Sequence, residues 1–448
     1  MIRKPYPKDN EPRTIGIRPE WVEALSKHIK ARSLGRDDLL FPTDASTPIS
    51  RNTFRRRIWS PTPCQFIMEV SVSSFVEPAG QPLLSLYSTR LGEAFADLLP
   101  IGPRSRAPRR PSPSLPVRDR QNGHMRITVL SGGVGGSRFV QGLLAVKQPD
   151  DEVTVIGNTA DDIWLLGLRV CPDLDTVMYT LGNGIDSERR WGRTDETWNA
   201  KDELTAYGVE ETWFGLGDRD LATHILRTQL LNAGGGLAAV TSRLCERWNP
   251  GVRLLPMTEH EVETHIAIDG EQGREVIHFQ EYWIRLRANV PVREVIVKGA
   301  EQAIPGPGVV DAIQSADVVI LPPSNPIVSV GTILSIKGIR EAVAATKAPV
   351  VGVSPIINGG AVRGMADQLL TGLGVEISAA GIAERYGNRA DGGVIDGWLI
   401  DSSDVAELDR IRTTGIQAQA VPLFMNDEET TNQLARDTLE FGRSLTQS

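Results

Sequence analysis

The chain has 448 residues and a formal net charge of −8, a length that allows two or three domains. The charge is split: residues 1–124 carry +8 and residues 125–448 carry −16, and so acidic a larger part speaks against nucleic-acid binding by bulk charge. Cys64, Cys171 and Cys245 are scattered without a CxxC spacing, which argues against a disulfide scaffold and suits a reducing cytoplasm; neither a membrane span of ~18 apolar residues nor a signal peptide is expected.

Residues 1–124 differ in character from the rest. Trp21 to Arg32 predicts a short helix, and Asp38 to Pro42 leads through a turn-rich stretch to the basic run Arg55-Arg56-Arg57. The stretch GRDDLLFPTDASTPISRNTFRRRIW, within residues 13–60, resembles a fragment of a phage-type tyrosine recombinase. No His-x-x-Arg and no nucleophilic tyrosine context follow it, so recombinase chemistry is not expected. Residues 100–120 are rich in Pro, Arg and Ser, a composition that buries no core. The expectation is a mostly disordered, non-functional leader over 1–124 and a separate domain over 125–448.

That domain opens on MRITVLSGGVGGSR, from Met125 to Arg138. Ile127 to Leu130 has the composition of a buried parallel strand. Phe139, Val140, Leu143, Leu144 and Val146 then recur at helical spacing. Strand, glycine loop and helix form the opening unit of a nucleotide-binding α/β domain. Gly132, Gly133, Gly135 and Gly136 permit positive φ and leave no Cβ in the way of a phosphate. The helix behind them offers free N–H groups and a positive dipole end.

Glu152 to Gly157 predicts the second strand, ending in Asn158-Thr159-Ala160-Asp161-Asp162. Cys171-Pro172-Asp173-Leu174-Asp175-Thr176-Val177 then opens a helix. Helix capping accounts for one of these acids. It does not account for four carboxylates on two consecutive segments, which suit a hard divalent cation. Asp161, Asp162 and Asp173 are the candidate ligands. Trp191, Trp198 and Trp213 suggest core and lid packing, with stacking on a planar ring system as the alternative. A helix starts near Asp220, with Asp218 and Arg219 at its mouth as candidate site residues. His224 alone reads as structural, and Arg227 suits an acid or a phosphate.

Leu254 to Thr258 is another strand, and Glu263 to Ile268 with Glu275 to Gln280 predicts a hairpin inserted beside the sheet. Ala316 to Leu321 is a buried strand whose exit carries Ser324, Asn325 and Ser329, uncharged groups able to hold a purine edge or phosphate oxygens. Pro349 to Val353 leads into a second glycine-rich loop with Arg363, a cation suited to a diphosphate. Val394 to Asp401 and Ala420 to Met425 complete the pattern. It predicts a doubly wound, Rossmann-like α/β parallel sheet with a smaller inserted α+β region at about residues 180–300.

SGGVGGSR, NTADD, CPDLDTV, GLGDRDLATH, PPSNPIVSVGTIL and SPIINGGAVRGMAD, in this order, resemble the 2-phospho-L-lactate transferases of coenzyme F-420 biosynthesis and their phosphoenolpyruvate-using bacterial counterparts. The resemblance spans residues 125–448 and none of the leader. It implies a guanosine-diphosphate-linked donor, the deazaflavin FO as acceptor, release of GMP, a magnesium requirement and a (dehydro) F-420-0 product. It places Asp175 at the ribityl hydroxyl of FO, and Asp173, Asp175 and Asp218 among the candidate catalytic groups. It places the glycine loop at the phosphate, and Asn158 and Thr159 are further candidate substrate-binding residues. Ser324, Asn325, Ser329 and the loop to Arg363 go to the donor, and Arg219 to substrate. A cytoplasmic homodimer is the further implication. Two rivals use the same glycine loop: a dinucleotide-dependent oxidoreductase and a non-catalytic nucleotide-binding regulator. Against the first, NTADD stands where a single ribose-binding acid would be expected.

Overall fold

The computed structural model describes residues 74–76, 82–84, 124–270, 273–362 and 366–446. The chain divides into two compact units, Met1–Val117 and Arg118–Ser448. In the first, Ser74–Val76 pairs antiparallel with Pro82–Leu84. The recombinase-like segment and the Pro/Arg/Ser-rich stretch lie outside the described residues.

In the second unit, β1 (Arg126–Ser131) is buried at five consecutive positions. Such a run, without alternation, marks a parallel strand covered on both faces. Ile127 and Val129 join one hydrophobic cluster and Leu130 the other, on opposite sides of the sheet. Thr128 is buried between them, and its hydroxyl donates to the Ala312 carbonyl at 2.8 Å. Helix α1 (Val134–Val146) follows the glycine loop. Next come β2 (Glu152–Gly157), the hairpin β3 (Ile163–Leu165) and β4 (Leu168–Val170), and α2 (Pro172–Leu181). Helices α3 (Asp218–Asn232) and α4 (Leu237–Trp248) lead to β5 (Arg253–Pro256).

A second sheet of β6 (Glu263–Gly270), β7 (Gly273–His278) and β8 (Val292–Lys298) is antiparallel throughout, with β6 in the middle. The chain then re-enters the main sheet as β9 (Val318–Leu321), helix α5 (Val330–Ser335), β10 (Val350–Val353), β11 (Gly397–Asp401) and β12 (Gln417–Val421), and ends in α6 (Glu428–Leu445).

The seven-stranded sheet runs β12-β11-β10-β9-β1-β2-β5, and every neighbouring pair is parallel. From β1 the chain winds outward to β5, then returns to β9 on the other side of β1. That reversal opens a crevice at the carboxyl ends of β1 and β9, where open α/β sheets bind their ligands. Two sequence expectations change. The insertion is not continuous over 180–300, because Arg253–Pro256 is a strand of the main sheet, and the antiparallel part gains β8. The last strand is Gln417–Val421 rather than Ala420–Met425: it is an edge strand of alternating exposure, whereas Phe424 in the apolar run is exposed.

Candidate active site

The crevice is built first by the glycine loop. None of its four glycines has a positive φ; what they supply is room. A Cβ on Gly132 would strike the Ser329 hydroxyl, on Gly133 the Asp173 carboxylate, on Gly135 the Pro323 carbonyl and on Gly136 the Ser131 hydroxyl. The space expected for a phosphate is thus also the space that lets the β9 exit and the start of α2 close onto β1. Gly132 N–H donates to Ser324 Oγ at 3.3 Å across the switch point.

Asn158, at the end of β2, ties the three segments together and is fully buried. Its amide nitrogen donates to Asp173 Oδ2 at 2.9 Å and to the Val328 carbonyl at 3.1 Å. Its Oδ1 accepts from Ala160 N–H at 3.0 Å and from the Thr332 hydroxyl at 2.8 Å. All four hydrogen-bonding positions of the amide are in use. Asn325 plays a local part: its Oδ1 accepts from Ile327 and Val328 N–H, shaping the loop after β9.

The acids behave differently. Asp161, Asp162, Asp173 and Asp175 all sit at or beyond the sheet's carboxyl edge. Burial pushes the Asp161 carboxyl well above the usual range, and the neighbouring Asp173 charge adds to it. Burial likewise pushes Asp173 up to about 7, against the pull of the Asn158 amide. Asp162 rises to about 6 for the same reason, opposed by Arg169, whose Nη2 lies 3.3 Å from Asp162 Oδ2. The buried atoms Thr159 Oγ1, Asp161 Oδ1, Asp162 Oδ1 and Thr264 Oγ1 make no hydrogen bond.

Among the described residues, no group of three or more His, Cys, Asp or Glu side chains is gathered to hold a metal by itself. Asp162 pairs one oxygen with Arg169 and leaves the other unpartnered, while Asp161 and Asp173 repel each other and keep spare acceptor capacity. Two carboxylates of this kind fit magnesium, which commonly takes one or two carboxylates and completes its shell with water and substrate phosphates.

Asp175 is neither free nor a helix cap; Cys171 holds the cap position. Arg227 on α3 grips Asp175 through both oxygens, its Nη1 donating to Oδ2 at 3.0 Å and its Nη2 to Oδ1. Both residues are buried. Asp218 and Arg219 sit outside this cluster. The Asp218 carboxylate accepts from the Thr197 hydroxyl, both nitrogens of Asn199 and Ala200 N–H, and these bonds hold its pKa well below the usual range. It works as a staple for the segment before it. The half-exposed Arg219 side chain lies near Asp195 and the Thr194 carbonyl. Arg363 lies outside the described residues.

The stapled segment lines a cavity of about 420 Å³ walled by Trp191, Trp198, Trp213, Phe214 and Ile284, with Lys201 and Asp202 at its polar side. The Arg189 guanidinium covers both Trp191 and Trp198, 5.6 and 5.1 Å from their ring centres. Phe279, at the end of the predicted hairpin, and Tyr282, just past it, are buried in the core. Sequence reasoning missed Arg169, Thr264 and Thr332. The first two come from β4 and β6, and nothing in a linear pattern points them at the NTADD loop.

The fold and crevice define an open α/β enzyme-like domain whose switch point joins a glycine loop to buried acids. The 2-phospho-L-lactate transferase CofD family model matches residues 127–439, and the chain belongs to that family. It is 59% identical over 321 residues to the phosphoenolpyruvate transferase of Streptomyces avermitilis and 57% identical over 321 residues to that of Streptomyces coelicolor; each match covers 72% of this chain and 99% of the relative. It is also similar to the crystal structure of a UPF0052-family protein from Bacillus halodurans, at 16% identity and a TM-score of 0.47, covering 70% of this chain and 98% of that one. No helix among the described residues is long and apolar enough to cross a membrane.

Proposed function

We propose that this chain is a cytoplasmic enzyme that transfers the phosphoenolpyruvate moiety, or alternatively 2-phospho-L-lactate, from a guanosine-diphosphate-linked donor to the ribityl hydroxyl of FO. GMP leaves, and the product is (dehydro) coenzyme F-420-0. The observation that carries the reading is the meeting of the glycine loop, the Asn158 hub and the Asp161–Asp173 pair at one switch point. The names of the relatives support the phosphoenolpyruvate donor.

Such a transfer needs positioning and charge neutralisation more than covalent help from the protein. Asp161 and Asp173 would hold magnesium, which supplies positive charge to the donor's diphosphate when bound. The N–H groups at the start of α1 face the same phosphates, and Ser324 and Ser329 border them from the β9 exit. The aromatic cavity between Trp191 and Trp213 suits the planar deazaflavin ring. Asp175, on α2 and paired with Arg227 of α3, would orient the acceptor hydroxyl. The hydroxyl proton leaves to a carboxylate or to water, and the bond to GMP breaks as the new phosphoester forms.

Incubating the full chain with FO, magnesium and the guanosine-diphosphate-linked donor should yield GMP and a product of the mass of the phosphodiester. The enolpyruvyl donor should outpace the lactyl donor. Tight donor binding with no GMP release would favour a nucleotide-binding regulator and overturn the transferase reading.

A further inference from the structure

Helices α2 and α3 face each other through a ring of largely buried polar side chains, linked by hydrogen bonds and close ionic contacts. Asp175 of α2 is held by Arg227 of α3. Arg227 Nη1 also lies 3.2 Å from His224 Nδ1, one turn back on α3. A guanidinium only donates, so His224 Nδ1 must accept, and the ring proton sits on Nε2. His224 Nε2 lies 3.3 Å from Asp220 Oδ2. Asp220 Oδ1 accepts from the Tyr179 hydroxyl at 2.6 Å, and Tyr179 returns the ring to α2. The Thr223 hydroxyl lies 2.7 Å from the same Tyr179 oxygen. His224 and Arg227 are each 1% exposed.

The ring has a direction. Tyr179 holds Asp220, the Asp220 carboxylate lies beside His224 Nε2 without a hydrogen bond of good geometry, and His224 gives Arg227 Nη1 an acceptor besides Asp175 Oδ2, the Arg169 carbonyl at 3.4 Å being a longer third. Because Arg227 Nε has no partner, its plane is set through the Nη atoms alone. A guanidinium held in one plane presents a fixed fork to a carboxylate. The orientation of Asp175 therefore depends in part on His224, whose Nδ1 also lies 3.7 Å from Asp175 Oδ2.

We propose that His224 is a positioning residue for the transfer reaction, acting through Arg227 to hold the Asp175 carboxylate in its working orientation. This rests on the transferase reading. His224 touches no substrate in it; its effect falls on turnover rather than on donor binding. Since α3 also carries the Asp218 staple of the aromatic cavity wall, one helix fixes both the cavity and the carboxylate.

The test compares His224→Leu, which keeps bulk and removes both nitrogens, with His224→Asn, which keeps an acceptor near the Nδ1 position. His224→Leu should lower kcat roughly 10- to 100-fold, the usual effect of misplacing a group by about an ångström, with the donor KM within about twofold of wild type. His224→Asn should recover most of that loss. Equal loss in the two variants, or a normal kcat in His224→Leu, overturns the proposal. If His224→Leu does not fold, Tyr179→Phe removes one hydroxyl at the far end of the ring; it should lower kcat with KM unchanged, and a normal kcat there overturns the proposal. A second readout needs no substrate. The side-chain ¹⁵N resonances of Arg227 should shift in the foldable variant, and unshifted resonances overturn the proposal. Failure of the wild-type chain to release GMP bears instead on the transferase reading, and the resonance test stands apart from it.

Discussion

The two sides of the switch point are built to opposite rules. On the side of Asn158, Ser324 and Thr332, buried polar groups are matched, and the Asn158 amide has spent every donor and acceptor it owns. On the side of Thr159, Asp161, Asp162 and Thr264, four buried oxygens make no hydrogen bond of good geometry, and burial, with neighbouring carboxylates, raises the pKa of Asp161, Asp162 and Asp173. Leaving a buried polar group unmatched costs about 1–3 kcal/mol, so folds rarely do it. The matched side is a clamp that makes three loops one object. On the proposed function, the unmatched side is where a cation and a diphosphate would complete the hydrogen bonding that the protein withholds.

The Asp175–Arg227 pair gives the largest expected effect. It belongs to the clamp, although it is made of charges. Asp175→Asn leaves the buried Arg227 without its countercharge, so stability should fall by about 3–5 kcal/mol, as when one partner of a buried ion pair is removed. The measurement is urea denaturation without ligands. A variant that melts like wild type would mean that the pair is solvated, and the clamp would then end at Asn158.

Asn158→Leu should be next. It fills the same space but strands Asp173 Oδ2, the Val328 carbonyl, Ala160 N–H and the Thr332 hydroxyl together. A loss of roughly 2–4 kcal/mol is expected, given about 1–3 kcal/mol for each group left unpaired. Thr332 has other acceptors in the carbonyls of Val328 and Ser329, which keeps the total below the sum. A loss under about 1 kcal/mol would show that the three loops hold one another without the amide, and the contrast between the two sides would weaken.

Much of this was legible along the chain. The β1–glycine loop–α1 unit, the NTADD and CPDLD exits and the β9 loop are each local patterns, and a parallel sheet brings its strand exits to one edge. The roles inside those motifs were less legible. The glycines read as room for phosphate, whereas the Cβ positions are filled by Ser329, Asp173 and Pro323. Asp218 read as catalytic because acids crowd the mouth of α3, yet its carboxylate is spent on Thr197, Asn199 and Ala200. Asp175 read as a base or a cap because its partner, Arg227, lies more than fifty residues away. His224 read as an ordinary core histidine, since its meaning comes from a ring that only the packing of α2 on α3 creates. Partners contributed by a second sheet, such as Thr264 on β6, leave no trace at the motif they serve.

Thr264 therefore supplies the smallest and sharpest test. Its buried hydroxyl makes no hydrogen bond of good geometry but lies near enough to the Asp161 carboxyl to pull its pKa down, while its N–H donates to the Ala160 carbonyl at 2.6 Å, so the backbone carries most of the strand's hold on the loop. Thr264→Val replaces the hydroxyl by a methyl group of similar size and leaves that backbone bond in place. On the matched side such a change would cost stability. Here it should change unfolding free energy by less than about 0.5 kcal/mol, or raise it, because an unpaired buried oxygen is removed. The same variant should show a smaller rise in Tm than wild type when magnesium and guanosine diphosphate are added together, since a ligand stabilises in proportion to its affinity. A ligand-free loss above about 1 kcal/mol would mean that the hydroxyl already has a partner in the folded protein. An unchanged ligand response would remove Thr264 from the open side and leave that side to the carboxylates.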